Sequence, residues 1–245
     1  MPPEFDTDPR FGGGVHRMAG AKRIEFVGIA ILKRYWPLRT PDCEVIDVHS
    51  DPSYFPRGID LILKRPGQSS LISADVKVDT YIGSDPSRKV RGLCNPDSGV
   101  LLVETLSQLQ YDRHDKDVRG WFYTSEASEI HYYYLALLSS AEDLSPFFSE
   151  VRQLVANGQS TTLVEERMIR ALRVDRDLLL TYDLKAARTW FEDAPEDALR
   201  GYAGATNPTY VTVSVRVDRE KFCNQGPGRL VGPIFEQVRR SIRTQ

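Results

Sequence analysis

The 245-residue sequence reads as an α/β fold: a mixed central sheet of about five strands flanked by helices, with an α+β C-terminal extension. Three observations predict it. Ile24, Val27, Ile31 and Tyr35 recur at helical spacing. Two β-patterned stretches, 57–63 and 72–78, flank Arg65-Pro66-Gly67-Gln68, which has the composition of a tight turn. Gly99-Val100-Leu101-Leu102-Val103 is a short apolar run, as expected of a strand in mid-sheet covered on both faces.

In chain order, residues 1–19 carry Pro2, Pro3, Pro9 and Gly12-Gly13-Gly14 and read as a flexible N-terminal arm. No Gly-Lys-Ser/Thr follows those glycines, which argues against a phosphate loop. A core is assigned to 20–140. Its first helix runs from Ala19 to about Trp36, where Pro37 is expected to stop it. Glu25 lies beside the apolar stripe of that helix, where it reaches either a sheet edge or solvent. Glu44–Val48 reads as a strand, followed by turn residues and the hairpin. The polar loop Asp79–Asp97 carries Arg88, Lys89 and Arg91, which suit phosphate contact or a solvated surface equally. After the strand Gly99–Val103 comes Glu104, either a further acid near a site or a structural hydrogen-bonder.

A charged loop, Asp112–Arg119, leads to Gly120–Thr124, read as the next strand. Ser125 is placed as the cap of a helix running through Ile130 to Leu138. Its Tyr132-Tyr133-Tyr134 cluster suits either base stacking or packing against a sheet. The extension, 141–245, opens with a helix carrying Phe147, Val151 and Leu154 that Asn157-Gly158 ends. Thr162–Leu172 reads as a helix, Leu178–Tyr182 as a strand and Leu184–Phe191 as a short helix. Thr209–Val217 alternates cleanly as a half-buried strand, and Leu230–Ile242 reads as a final helix. This half either extends the central sheet or forms a substrate-positioning subdomain.

The chemistry concentrates in the hairpin. Asp60 begins its first strand, Asp75 follows fifteen residues later, and Lys77 lies two beyond. A strand has a side-chain period of two, so Asp75 and Lys77 share one face while Val76 and Val78 take the other. Acids and an amine gathered at a hairpin lose hydration at a cost unless a metal or charged substrate offsets it. Metal-assisted phosphodiester hydrolysis uses such a set: carboxylates hold a hard divalent cation, and the amine orients water beside the phosphate. The plainer alternative is a surface hairpin with charges on its wet face.

Gly58-Ile59-Asp60, a turn, then Asp75-Val76-Lys77 resembles the PD-(D/E)XK nuclease superfamily, whose fold is that of restriction endonucleases and Holliday-junction resolvases. The resemblance covers roughly residues 20–135, and Ile59 stands where the motif name has proline. It implies a restriction-endonuclease-like core and a metal-dependent endonuclease acting on DNA. It also implies roles. Asp60, Asp75 and the Val76 carbonyl would bind Mg²⁺ (or Mn²⁺), and Glu25 would hold a second ion or position water. Lys77 would orient the hydroxide. The other class left open is a non-cleaving nucleic-acid-binding or interaction protein on the same fold.

Composition narrows the remaining classes. With 41% hydrophobic and 27% charged residues the chain is an ordinary globular protein, without an apolar run of the roughly 20 residues a membrane span needs. Cys43, Cys94 and Cys223 have no zinc-finger or CxxC spacing, which favours a reducing, cytoplasmic setting. A net charge of −2 disfavours a histone-like binder but leaves room for a local basic surface. His16, His49, His114 and His131 lack metal-centre spacing, and no GxSxG or GxGxxG is present. DNA is the expected partner, with a homodimer left open and no membrane.

Overall fold

Helix α1, Arg17–Arg39, lies on one face of a six-stranded mixed sheet. The structure, a computed structural model, describes residues 17–79, 99–109, 118–139, 141–206 and 210–243. Its six strands are β1 (Glu44–Asp47), β2 (Leu61–Lys64), β3 (Ile72–Asp79), β6 (Glu129–Leu137), β7 (Val174–Asp183) and β10 (Arg229–Gly232), in that spatial order. All neighbours run antiparallel except β3 and β6, which are parallel with Asp75 opposite Ile130 and Lys77 opposite Tyr132. The second sheet has four strands: β5 (Val118–Arg119), β4 (Val100–Leu109), β9 (Tyr210–Asp218) and β8 (Leu199–Thr206).

The period of two in β3 and β6 divides the interior into two cores. Ala74, Val76, Tyr133 and Leu135 face α1, together with α3 (Ala141–Ala156), α4 (Thr162–Ala171) and α7 (Phe235–Arg243). Ile130, Tyr132, Tyr134 and Tyr182 face the other way, against Leu101 and Val103 of β4, Val215 and Val217 of β9, and Phe122. Each fully buried aliphatic side chain contributes about 1.5–3 kcal/mol of transfer free energy, so both cores matter. The register therefore turns Asp75 and Lys77 toward the second sheet. Among the described residues no helix is long and apolar enough to cross a membrane.

Several expectations are corrected. Pro37 lies inside α1, which continues to Arg39. In the last turn its missing N–H removes a single helical bond, and Thr40 N still bonds Trp36 O at 2.8 Å. Residues 17–19, assigned to the arm, begin this helix; the rest of the arm lies outside the described residues.

The expected helix through Ile130 to Leu138 is strand β6. A run buried on both faces carries no period that separates strand from helix, and its aromatic content suits a central strand. Tyr132, Tyr133 and Tyr134 are buried at 5%, 0% and 0% exposure, so they pack the two cores and are not open to bases. Gly120–Thr124 is not a strand. Trp121–Thr124 forms one helical turn, α2, after the N-cap Gly120. Ser125 opens no helix; it is the C-cap of α2, its N–H bonding Trp121 O at 2.9 Å, and its hydroxyl donates to Gly58 O and accepts from Ala127 N.

The apolar run Val100–Val103 belongs to the second sheet, with Leu101 and Val103 inward and Leu102 half-buried. Leu230–Ile242 divides into β10 and α7, because Pro233 interrupts the chain between them. The C-terminal half completes both sheets: β7 and β10 join the first, β8 and β9 the second.

Candidate active site

Strand β3 carries Asp75 and Lys77 on the face toward the second sheet. The Asp75 side chain is 1% exposed and Lys77 25%. Nζ of Lys77 lies 2.6 Å from Oδ1 of Asp75. Oδ2 of Asp75 is buried and has no hydrogen-bond partner among the described residues. Gly58 explains part of that space. It sits in the left-handed region at φ +63, where a Cβ is disfavoured. A Cβ there would also stand 3.4 Å from Oδ2 of Asp75 and 3.1 Å from Oγ of Ser125.

Asp60 approaches from the hairpin edge. It precedes β2, its N–H bonding Ala74 O at 2.9 Å. β2 pairs with β3 only as far as Ala74, so Val76 has no strand partner on that side. The Asp60 carboxylate takes over and accepts the Val76 N–H at 2.7 Å through Oδ2. Backbone alternation directs the Val76 carbonyl to the same side. Val76's own side chain is fully buried in the α1-facing core.

Glu25 is half-buried on α1, one turn before Gly28. A Cβ on Gly28 would collide with Cγ2 of Val78, so this glycine lets the helix sit close to β3. That seating brings the Glu25 charge within electrostatic range of Asp60 and Lys77.

Sequence reasoning left Glu104 undecided and misread the residues around it. The Glu104 carboxyl lies within electrostatic reach of the Trp121 backbone N–H and of the Lys77 charge. The Trp121 ring lies 5.2 Å from Nζ of Lys77, a cation–π contact. From β7, the buried Tyr182 hydroxyl has no hydrogen-bond partner among the described residues and senses Asp75. Trp121 was legible only as an aromatic in a presumed strand, and no local signal in the sequence connects Tyr182 to Asp75.

Acids around one amine set the electrostatics. Burial pushes the Asp60 carboxyl up to about 8, reinforced by the charges of Glu25 and Asp75 and opposed by Lys77 and the Val76 N–H. Burial alone would lower the Lys77 pKa, but Asp75, Glu25 and Asp60 outweigh it and raise it above the ordinary lysine value. Burial also raises Glu104, against the pull of Lys77 and the Trp121 N–H.

Among the described residues no three His, Cys, Asp or Glu side chains form a group able to hold a metal ion. Mg²⁺, however, keeps several waters and commonly uses only one or two carboxylates. Asp60 and Asp75, with the Val76 carbonyl, fit that demand: Oδ2 of Asp75 is an orphaned buried acceptor, and Gly58 leaves the approach clear. Arg88, Lys89 and Arg91 lie outside the described residues. An open depression of about 670 Å³ beside Trp190, lined by Asp183, Lys185, Thr189, Gln225 and Pro227, takes in none of these acids. No family model, no curated protein and no solved structure matches the chain.

Proposed function

We propose that the protein is a metal-dependent endonuclease on a restriction-endonuclease-like core, hydrolysing DNA phosphodiester bonds with Mg²⁺ (or Mn²⁺). The observation that carries the reading is the buried Asp75, with Oδ1 on Lys77 and Oδ2 unpartnered beside Gly58. A buried anion left half-satisfied in a purely structural role would cost stability without return.

Asp60, Asp75 and the Val76 carbonyl would hold the cation, with Glu25 holding a second ion or positioning water. When bound, the ion would lower the pKa of a coordinated water and offset phosphate charge. Hydrolysis adds the water oxygen to phosphorus, breaks one phosphorus–oxygen ester bond and leaves a hydroxyl on the departing sugar. Lys77 is held as an ammonium by its raised pKa, so it donates hydrogen bonds and charge instead of accepting a proton. It would orient the nucleophile and offset charge on the pentacovalent phosphorane. Asp60, pushed up to about 8, holds a proton at neutral pH and would have to give it up to ligate a cation.

Two observations favour the alternative, a non-cleaving nucleic-acid-binding protein. The lysine already occupies one oxygen of Asp75, and no three-acid group forms among the described residues. The deciding experiment incubates the full chain with supercoiled plasmid, in Mg²⁺, Mn²⁺ and EDTA. The nuclease reading expects nicked and linear product with either metal and none in EDTA. Retained DNA binding with no product in any condition supports the alternative.

A further inference from the structure

We infer that Trp121 is a positioning residue for the proposed hydrolysis: its indole ring fixes the Lys77 ammonium, and Arg188 holds the helical turn that carries the ring. The inference rests on the nuclease reading above. Nζ of Lys77 lies over the Trp121 ring, 5.2 Å from its centroid. The ring quadrupole attracts an ammonium over its face, and indole does so best of the aromatic side chains. The ammonium has three donors. Asp75 takes one at 2.6 Å and the ring covers a second direction, which leaves a donor for a phosphate or a water.

The turn α2 meets both members of the ion pair. Its first residue, Trp121, faces Lys77, and its C-cap, Ser125, donates its hydroxyl to Gly58 O at 3.2 Å. Gly58 is the residue whose Cβ would stand 3.4 Å from Oδ2 of Asp75. A single helical turn leaves its last carbonyls without helical partners. Arg188, on α5 (Leu184–Glu192), donates to two carbonyls at that end: Nε to Phe122 O and Nη2 to Ser125 O, each at 2.8 Å. A planar guanidinium spans two such acceptors in a fixed fork, whereas a lysine ammonium is a point charge on a flexible stem. The Phe122 ring, 1% exposed, packs 5.4 Å from Phe191 and seats the same turn on α5. Burial alone asks only for a large apolar side chain at 121; an ammonium over the ring asks for an aromatic one.

The test uses the full chain with Trp121→Leu, with Trp121→Phe as the conservative variant, and with Arg188→Lys. A further series places mono-, di- and trifluorotryptophan at 121 alone, which keeps the ring's shape and drains its electron density. The readouts are single-turnover cleavage in Mg²⁺, DNA affinity, thermal midpoint, and the ε-methylene ¹H resonance of Lys77 in lysine-labelled protein, assigned with Lys77→Arg. An indole face shifts protons above it upfield, so this resonance reports the contact whether or not the protein cleaves. Trp121→Leu is expected to slow cleavage by about 3- to 30-fold and to return the resonance to the ordinary lysine position. Trp121→Phe should recover part of both. The rate should fall stepwise with each added fluorine while affinity and midpoint stay near wild type. Arg188→Lys should slow cleavage and move the resonance in the same direction as Trp121→Leu.

An unmoved Lys77 resonance in Trp121→Leu overturns the inference, as does a cleavage rate indifferent to the fluorine series. Wild-type resonance and rate in Arg188→Lys overturn the part given to Arg188. If wild type itself does not cleave, the nuclease reading fails. The resonance then decides the positioning claim alone.

Discussion

The Lys77 ammonium sits 2.6 Å from the Asp75 carboxylate, on a strand whose next residue, Val78, packs into the opposite core. The pair is asymmetric in burial: Asp75 is 1% exposed and Lys77 25%. Removing the lysine strands a buried anion, whereas removing both charges does not. Lys77→Ala should therefore destabilise the fold by about 3–5 kcal/mol. Asp75→Asn with Lys77→Ala should lose much less than the sum of the two single changes. Urea unfolding of the four members of this cycle measures the coupling, and additive losses would show that the contact is not energetically real.

Lys77 also separates catalysis from binding. Lys77→Gln keeps a hydrogen-bond donor but removes the charge offered to the transition state. Single-turnover cleavage should fall by about 10²–10³, and DNA affinity much less, since one cation is a small part of a phosphate-tracking surface. Equal losses in both would make Lys77 a binding residue.

Asp60 gives the pH dependence. Its folded-state pKa of about 8 stands above the unfolded value of about 3.9. The folded protein thus binds the extra proton between those values, and stability falls as pH rises through that window. The contribution is whole below about pH 4 and lost above about pH 8. Asp60→Asn removes the titration, so its thermal midpoint should rise relative to wild type steadily from about pH 4 to about pH 8. Mg²⁺ at alkaline pH should stabilise wild type and leave Asp60→Asn nearly unmoved. A midpoint difference that is flat with pH would remove Asp60 from the buried acid group.

How much of this was legible depended on where each signal lies along the chain. The β2–β3 hairpin announces itself locally, by alternation and by Pro66-Gly67; β3 falls where that pattern puts it, whereas β2 starts only at Leu61, because Phe55–Arg57 form a 3-10 turn that the left-handed Gly58 ends. The β6 strand was misread because Ile130–Ala136 is buried on both faces, and burial on both sides erases the period that distinguishes strand from helix. The contact of the Trp121 ring with Lys77 joins α2 to β3, which are far apart in sequence, and the bulge in β4 is revealed only by its pairing with β9. Glu25 was legible as a position beside a helical stripe; its proximity to Asp60 follows from the close seating at Gly28.

The Glu25 assignment is tested by Glu25→Gln. With its charge gone, the Asp60 pKa should fall, and metal-dependent cleavage should weaken through a higher Mg²⁺ requirement. A titration of cleavage rate against Mg²⁺ for both proteins reads this directly. Superimposable curves would pass the role to Glu104.

The central claim is that Asp75 holds a catalytic cation, and it is tested most directly by comparing wild type with Asp75→Asn. The measurement is single-turnover cleavage of a labelled DNA duplex at saturating Mg²⁺, with DNA affinity measured in parallel. The account predicts Mg²⁺-dependent product from wild type, loss of cleavage in a folded Asp75→Asn, and DNA affinity retained. Cleavage by Asp75→Asn at the wild-type rate would contradict it.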